Sequence, residues 1–216
     1  MEILLLTYFF MESCNQCKKN EACLKALKIL DQTEYKYEGF SQAYKESNSL
    51  LKLGNASGPA LLCKLSKTDD KTLRAIIVRS LGNLKYKPSF PELQRMAYNQ
   101  KDHHMRSHSV VSLFQIDPAR SESILIDLKD KETEWYIRIK ITKCLGSYNS
   151  NATAEALKIL LRDVHPMVRK EAAWSLYTNQ GDAAISTLQS ALKKETDLNV
   201  EFTIKDILKM LSNQKQ

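Results

Sequence analysis

The chain has 216 residues, 43% of them hydrophobic and 26% charged, with 6 Gly, 5 Pro and a net charge of +7. That composition is too apolar for a disordered chain, and few Gly and Pro favour helices, which both residues interrupt. The length suits one sizeable domain or one elongated array, and the moderate positive charge is compatible with an acidic partner, a membrane surface or nucleic acid without demanding any of them.

Ile3 to Met11 is an apolar run with no polar face. It is far shorter than the roughly 20 residues that span a bilayer, but has the length of a secretory signal core. Ser13-Cys14 follows at once. This resembles a bacterial lipoprotein signal, which would make Cys14 the lipidated residue and place the protein at a membrane or outside the cytoplasm. Two features depart from that pattern: no basic residue precedes the run, and Glu12 stands where a small residue is preferred. The competing expectation is a buried first helix in a cytoplasmic protein. Cys14, Cys17 and Cys23 could also form a metal or redox cluster, but structural zinc needs four ligands and no second pair follows. With Cys14 lipidated, Cys17 and Cys23 remain as a disulfide or as buried thiols. Cys63 and Cys144 sit inside apolar helical patterns and read as small core residues.

Residues 1–21 are thus a signal segment or a first helix. Residues 22–55 read as a degenerate helix pair: a helix through Leu24, Leu27 and Leu30, a break at Tyr35 to Gly39, and a helix from Phe40 to Leu53 capped by Gly54. From 56 to 212 the chain repeats, and 213–216 is a polar tail. Leu73-Arg74 begins a stretch that recurs at Met105-Arg106, Ile137-Arg138, Val168-Arg169 and Val200-Glu201, at intervals of 32, 32, 31 and 32 residues. Each copy follows a polar turn and an apolar helix, the first opened by Pro59.

Comparing the copies column by column separates scaffold from surface. Apolar residues recur one before, three after and seven after the Arg, at the i, i+4, i+8 spacing of one helix stripe. Six after it stand Ser80, Ser112, Cys144, Ser175 and Ile207, a mostly small column where helices can approach closely. A lone helix pair cannot bury such a stripe, so neighbouring pairs stack, and the expected fold is an all-α solenoid. Arg74, Arg106 and Arg138 follow Asp70, Asp102 and Glu134 by four residues; Arg169 follows His165. The acids are expected to cap their helices and pair with the Arg side chains as a structural ladder, the alternative being an anion-binding row.

Val168-Arg169-Lys170-Glu171-Ala172-Ala173-Trp174-Ser175-Leu176, with the endings Leu81-Gly82 and Leu145-Gly146, resembles the short HEAT-like repeats of phycobilin lyases. The resemblance implies an α-solenoid whose second helices line a concave binding face. On that face fall the columns two and five after the Arg, which supply Arg79, His108, Lys140, Lys143, Glu171 and Trp174 as candidate partner contacts, with Trp174 as the anchor. The leading expectation is a monomeric, non-catalytic module that binds another protein. A resemblance to HEAT-like DNA alkylation-repair glycosylases suggests nucleic-acid binding instead. Residues 64–106 hold ten Lys/Arg against four Asp/Glu, and Trp135 and Trp174 could stack on bases. A bilin-lyase-like chromophore holder is a remoter reading. No cofactor or metal is called for. His104 and His108 share a helix face, but the His-Glu pairs of HEAT-type di-iron hydroxylases are absent, and no catalytic triad, phosphate loop or carboxylate pair stands out.

Overall fold

The structure is a computed structural model describing residues 2–18, 20–32, 48–99 and 101–213, with side chains from Phe10 onward. The described residues are helical, without strands. The expected break at Tyr35 to Gly39 and most of the expected Phe40–Leu53 helix lie outside them, as does the tail beyond Asn213.

Helix α1 runs Glu2–Cys17 and α2 Glu21–Gln32; the helical residues 48–52 belong to α3. The repeats follow as helix pairs. They are α4 (Gly58–Leu65) with α5 (Lys71–Asn83), α6 (Phe90–Asn99) with α7 (His103–Ile116), α8 (Pro118–Lys131) with α9 (Trp135–Leu145), α10 (Asn151–Leu160) with α11 (Pro166–Gln180), and α12 (Ile185–Leu192) with α13 (Leu198–Asn213). The protein is an all-α solenoid that divides into two compact units, Met1–Pro118 and Ala119–Gln216. The first holds α1 to α7 and the second holds the three later pairs.

Local chemistry sets the helix starts. Asp70, Asp102 and Ser150 accept hydrogen bonds from the backbone N–H groups of Leu73, His104 and Thr153, and His165 Nδ1 accepts from Met167. Pro118 opens α8 six residues before its apolar run. A first-turn proline loses no helical hydrogen bond, so a polar, largely exposed turn is added there. Glu134 departs from the pattern: its side chain does not cap α9.

The core is the predicted stripe. Leu73, Met105, Ile137, Val168 and Val200 are buried, as are Ile77, Ile141, Ala172 and Ile204, and Leu81, Leu113, Leu145 and Leu176. Each such Leu or Ile contributes about 1.5–3 kcal/mol over exposure. Leu208, in the same column of the last repeat, is only half-buried, α13 being the last described helix.

In the first unit α5 packs along α7, and in the second α9 packs along α11. Here the small column acts. Ser112 Oγ donates to the Val78 carbonyl at 3.0 Å, and Ser175 Oγ donates to that of Thr142 at 3.1 Å. A Cβ on Gly82 would fall 2.6 Å from Ser112 Oγ, and one on Gly146 would fall 2.8 Å from Ser175 Oγ and 3.1 Å from the Ser175 Cα. The Leu-Gly ending therefore makes room for the next Ser to reach a backbone carbonyl.

At the N-terminus, α1 and α2 both pack on α4. Cys14 is bonded to Cys63 and Cys17 to Cys23. This corrects one expectation. Cys63 is buried as expected but is a crosslink rather than a simple core thiol. Cys14 carries its sulfur in a disulfide, which leaves no valence for the thioether of a lipid anchor, so the lipidated form is not the one described. Cys144 is the free cysteine, and burial pushes its thiol up to about 12. No described helix is long and apolar enough to cross a membrane.

Candidate functional site

Arg74, Arg138 and Arg169 are each built into the turn that precedes them. Arg138 Nη1 donates to the Glu132 and Thr133 carbonyls at 3.2 and 2.9 Å, and Arg169 Nη1 donates to those of Asp163 and Val164 at 2.9 and 3.3 Å. The opposite edge of each guanidinium holds a carboxylate of the following repeat. Arg138 Nε and Nη2 donate to Asp163 at 2.7 and 2.8 Å, and Arg169 Nε and Nη2 donate to Glu195 at 2.9 and 2.6 Å. These are bidentate, charge-assisted pairs, the strongest class of protein hydrogen bond.

Two rungs of the ladder are therefore formed, at Arg138 and Arg169, but their acids are not the expected ones. Asp70 and Asp102 cap their own helices, and Asp102 meets Lys71 at 3.3 Å. The acids that bind Arg stand six, not four, residues before the next repeat's origin: Asp163 before Arg169 and Glu195 before Glu201. They also organise the turns, since Asp163 accepts from the His165 N–H and Glu195 from the N–H groups of Thr196 and Asp197. The missed signal was in the sequence: the column six before the origin reads Thr68, Gln100, Glu132, Asp163, Glu195.

The electrostatics agree. Hydrogen bonds to Asp163 and Glu195 raise the pKa values of Arg138 and Arg169. Burial pushes the Asp163 carboxyl up, but the Arg138 hydrogen bonds and charge and the His165 N–H outweigh it and hold it below the usual range. The Arg169 hydrogen bonds hold Glu195 low against burial. A folded-state pKa below the unfolded one gives stability that is complete above the unfolded value, about 4, and is lost as pH falls through the folded value. We expect the wild-type urea midpoint to fall between about pH 5 and about pH 2, and the Asp163→Asn variant to fall less over that window. Equal slopes in the two proteins would show that Asp163 is not depressed.

The second-helix residues proposed for a partner do not form one uniform row. In the first unit Arg79 is exposed on α5 and His108 is half-buried on α7, while Ile76, from the same columns, is buried. In the second unit Lys140 and Lys143 are exposed on α9, and Glu171 and Trp174 are half-buried on the adjoining α11. Burial raises the Glu171 pKa, opposed by the Lys143 and Lys170 charges. Trp174 meets Tyr177 edge-on at 6.0 Å.

The two tryptophans have different surroundings. Trp135, 41% exposed, stacks on the capping His165 at 4.1 Å with 4° between the rings. Of the basic side chains in 64–106, Lys64 pairs with Asp31, Lys71 with Asp102 and Arg95 with Glu92, while Arg74 holds turn carbonyls. Part of that cluster thus serves the protein's own groups. Among the described residues no group of three or more His, Cys, Asp or Glu could hold a metal.

Repeated helix pairs, an Arg–acid ladder between repeats and a small column at helix crossings define a helical repeat scaffold. The HEAT-repeat pattern matches residues 58–140 and 122–205, and the chain belongs to the HEAT-repeat family. No curated protein matches it in sequence.

Proposed function

We propose that the protein is a non-catalytic scaffold that binds a protein partner through the exposed second-helix face of α9 and α11. One observation carries this reading: Trp174 stands half-buried on that face beside Tyr177, with Lys140, Lys143 and Glu171 on the same pair of helices, while the apolar stripe of both helices is consumed by the core. A partly desolvated aromatic ringed by mixed charge has the composition of an interface hot spot. Arg79 and His108 hold the same sequence columns in the first unit. Support also comes from the engaged state of the repeated Arg side chains, which leaves the variable columns as the adaptable part of each helix.

The test is to recover partners from the native host with the immobilised protein, then measure the purified complex. Trp174→Ala should weaken it by at least about 2 kcal/mol, roughly thirtyfold, and Lys143→Glu by less. A complex that tolerates Trp174→Ala would overturn the assignment of the face. Salt-sensitive binding to duplex DNA at low ionic strength, with no protein captured, would instead favour a nucleic-acid partner.

A further inference from the structure

One edge of the second unit carries an apolar surface that the fold does not require. The N-terminal ends of α9, α11 and α13 meet there, tied together by the Arg138–Asp163 and Arg169–Glu195 pairs and by the Trp135–His165 stack. Nine large apolar side chains are exposed among the described residues, and five of them gather in these turns and first helical turns: Trp135, Val164, Met167, Leu198 and Phe202. Val164, in the turn before α11, is 90% exposed, and Leu198, the first residue of α13, is 79% exposed. The position three before the origin is Lys71 and His103 in the first unit but Trp135, Pro166 and Leu198 in the second. These helices thus start equally well with polar residues there, so the apolar ones are not a demand of the scaffold.

A cationic cleft opens beside the same turns. Its volume is about 670 Å³, and it is lined by Lys158, Arg162 and Lys194 and by the hydroxyl-bearing Ser186, Thr187 and Ser190. Asp163 and Thr196 also line it, the first adjoining Val164 in the chain and the second standing two before Leu198. The acids of the lining, Asp163 and Glu195, are each held through two bonds, by Arg138 and Arg169. Arg162 and Lys194 are exposed and make no ion pair among the described residues. Cations and hydroxyl donors therefore remain for an anion from outside, next to apolar side chains that have no cover.

We propose that this edge docks on an anionic lipid surface, with headgroup phosphates in the cleft at Arg162 and Lys194, Val164, Met167, Leu198 and Phe202 entering the interfacial layer, and Trp135 at its rim. Two features favour a lipid layer over an acidic peptide. A side chain as exposed as Val164 has no concavity around it, so a folded partner would need a pocket for it, whereas a lipid layer yields to it. Trp135 is partly exposed and stacked on a polar ring, the setting that amphipathic aromatic rings take at a bilayer surface. A few apolar side chains alone bind a bilayer weakly, and the adjoining cations supply the second attraction. The edge uses none of the residues assigned to the partner-binding face, so the two proposals stand or fall separately.

The test is sedimentation of the full-length, oxidised protein with vesicles of phosphatidylcholine, alone or mixed with phosphatidylglycerol. We expect sedimentation with the mixed vesicles, reversed by salt, and none with phosphatidylcholine alone. Val164→Ser combined with Leu198→Ser leaves charge and core untouched and should weaken binding at least about tenfold at an unchanged unfolding midpoint. Arg162→Gln and Lys194→Gln should each weaken it about fivefold. In a Trp174→Phe background, Trp135 emission should move to the blue on the mixed vesicles. The proposal is overturned if neither vesicle is bound, if both are bound alike, if the Val164→Ser, Leu198→Ser variant binds as the wild type does, or if Trp135 emission stays in place. Binding of a soluble polyglutamate peptide that Arg162→Gln removes, with no vesicle binding, would overturn it in favour of an acidic protein segment.

Discussion

Arg138→Met is expected to lower the unfolding free energy by about 3–5 kcal/mol, the range for removing one partner of a buried ion pair. Arg138 is 9% exposed, and its guanidinium is the donor for two turn carbonyls and both Asp163 oxygens. Methionine fills much of the volume but leaves Asp163 as a buried charge without its cation, and the turn carbonyls lose their donor. The comparison that decides the matter is Glu155→Gln. Its pair with Lys158 is close, at 2.7 Å, but exposed, and such pairs contribute about 0–1 kcal/mol. Urea unfolding of the two variants should separate them clearly. An Arg138→Met loss no larger than that of Glu155→Gln would show that the ladder contributes little to stability.

Reduction of the Cys14–Cys63 disulfide is expected to cost the first unit about 4 kcal/mol. The bond joins residues 49 apart, and in the chain-entropy account closing a loop of that length removes about that much freedom from the unfolded state. The Cys17–Cys23 bond closes a separation of only 6 and should contribute about 2 kcal/mol on the same account. Cys14→Ser should therefore destabilise more than Cys17→Ser, measured by chemical unfolding without reductant. Alkylation of the denatured, unreduced protein should label one thiol, Cys144, and reduction should expose the other four. Five reactive thiols before reduction would rule out both crosslinks. Because disulfides persist only where thiols are not kept reduced, the same measurement on protein from its native host reports the redox character of its compartment.

The disulfides also mark a limit of what a linear pattern carries. A Cys17–Cys23 disulfide stood in the sequence only as one of two alternatives, beside buried thiols, for the case of a lipidated Cys14. Cys14 with Cys63 was not legible, since their meeting depends on α1 lying against α4, and nothing in a linear pattern specifies which helix receives the first one. The lipoprotein resemblance rests on the same stretch and on the same cysteine.

The ladder illustrates a finer limit. Spacing marked the Arg column and its nearest acids, four residues earlier, because that is the reach of one helical turn. The acids that bind the Arg side chains are 25 or 26 residues later in sequence. They become neighbours only when one repeat is laid on the next. Once that register is known, the column six before the origin reads directly off the sequence as Thr68, Gln100, Glu132, Asp163 and Glu195.

What the sequence determined by itself was the repeat: its period, the apolar stripe, the small column and the N-caps. These are local properties, fixed by helical periodicity and by backbone groups within a few residues. What the tertiary structure decided was pairing between repeats. It determined which carboxylates Arg138 and Arg169 grip, that Leu-Gly makes room for a serine on the neighbouring helix, and that Cys14 crosslinks to Cys63. Those contacts join residues roughly one repeat or more apart, and packing alone brings them within reach.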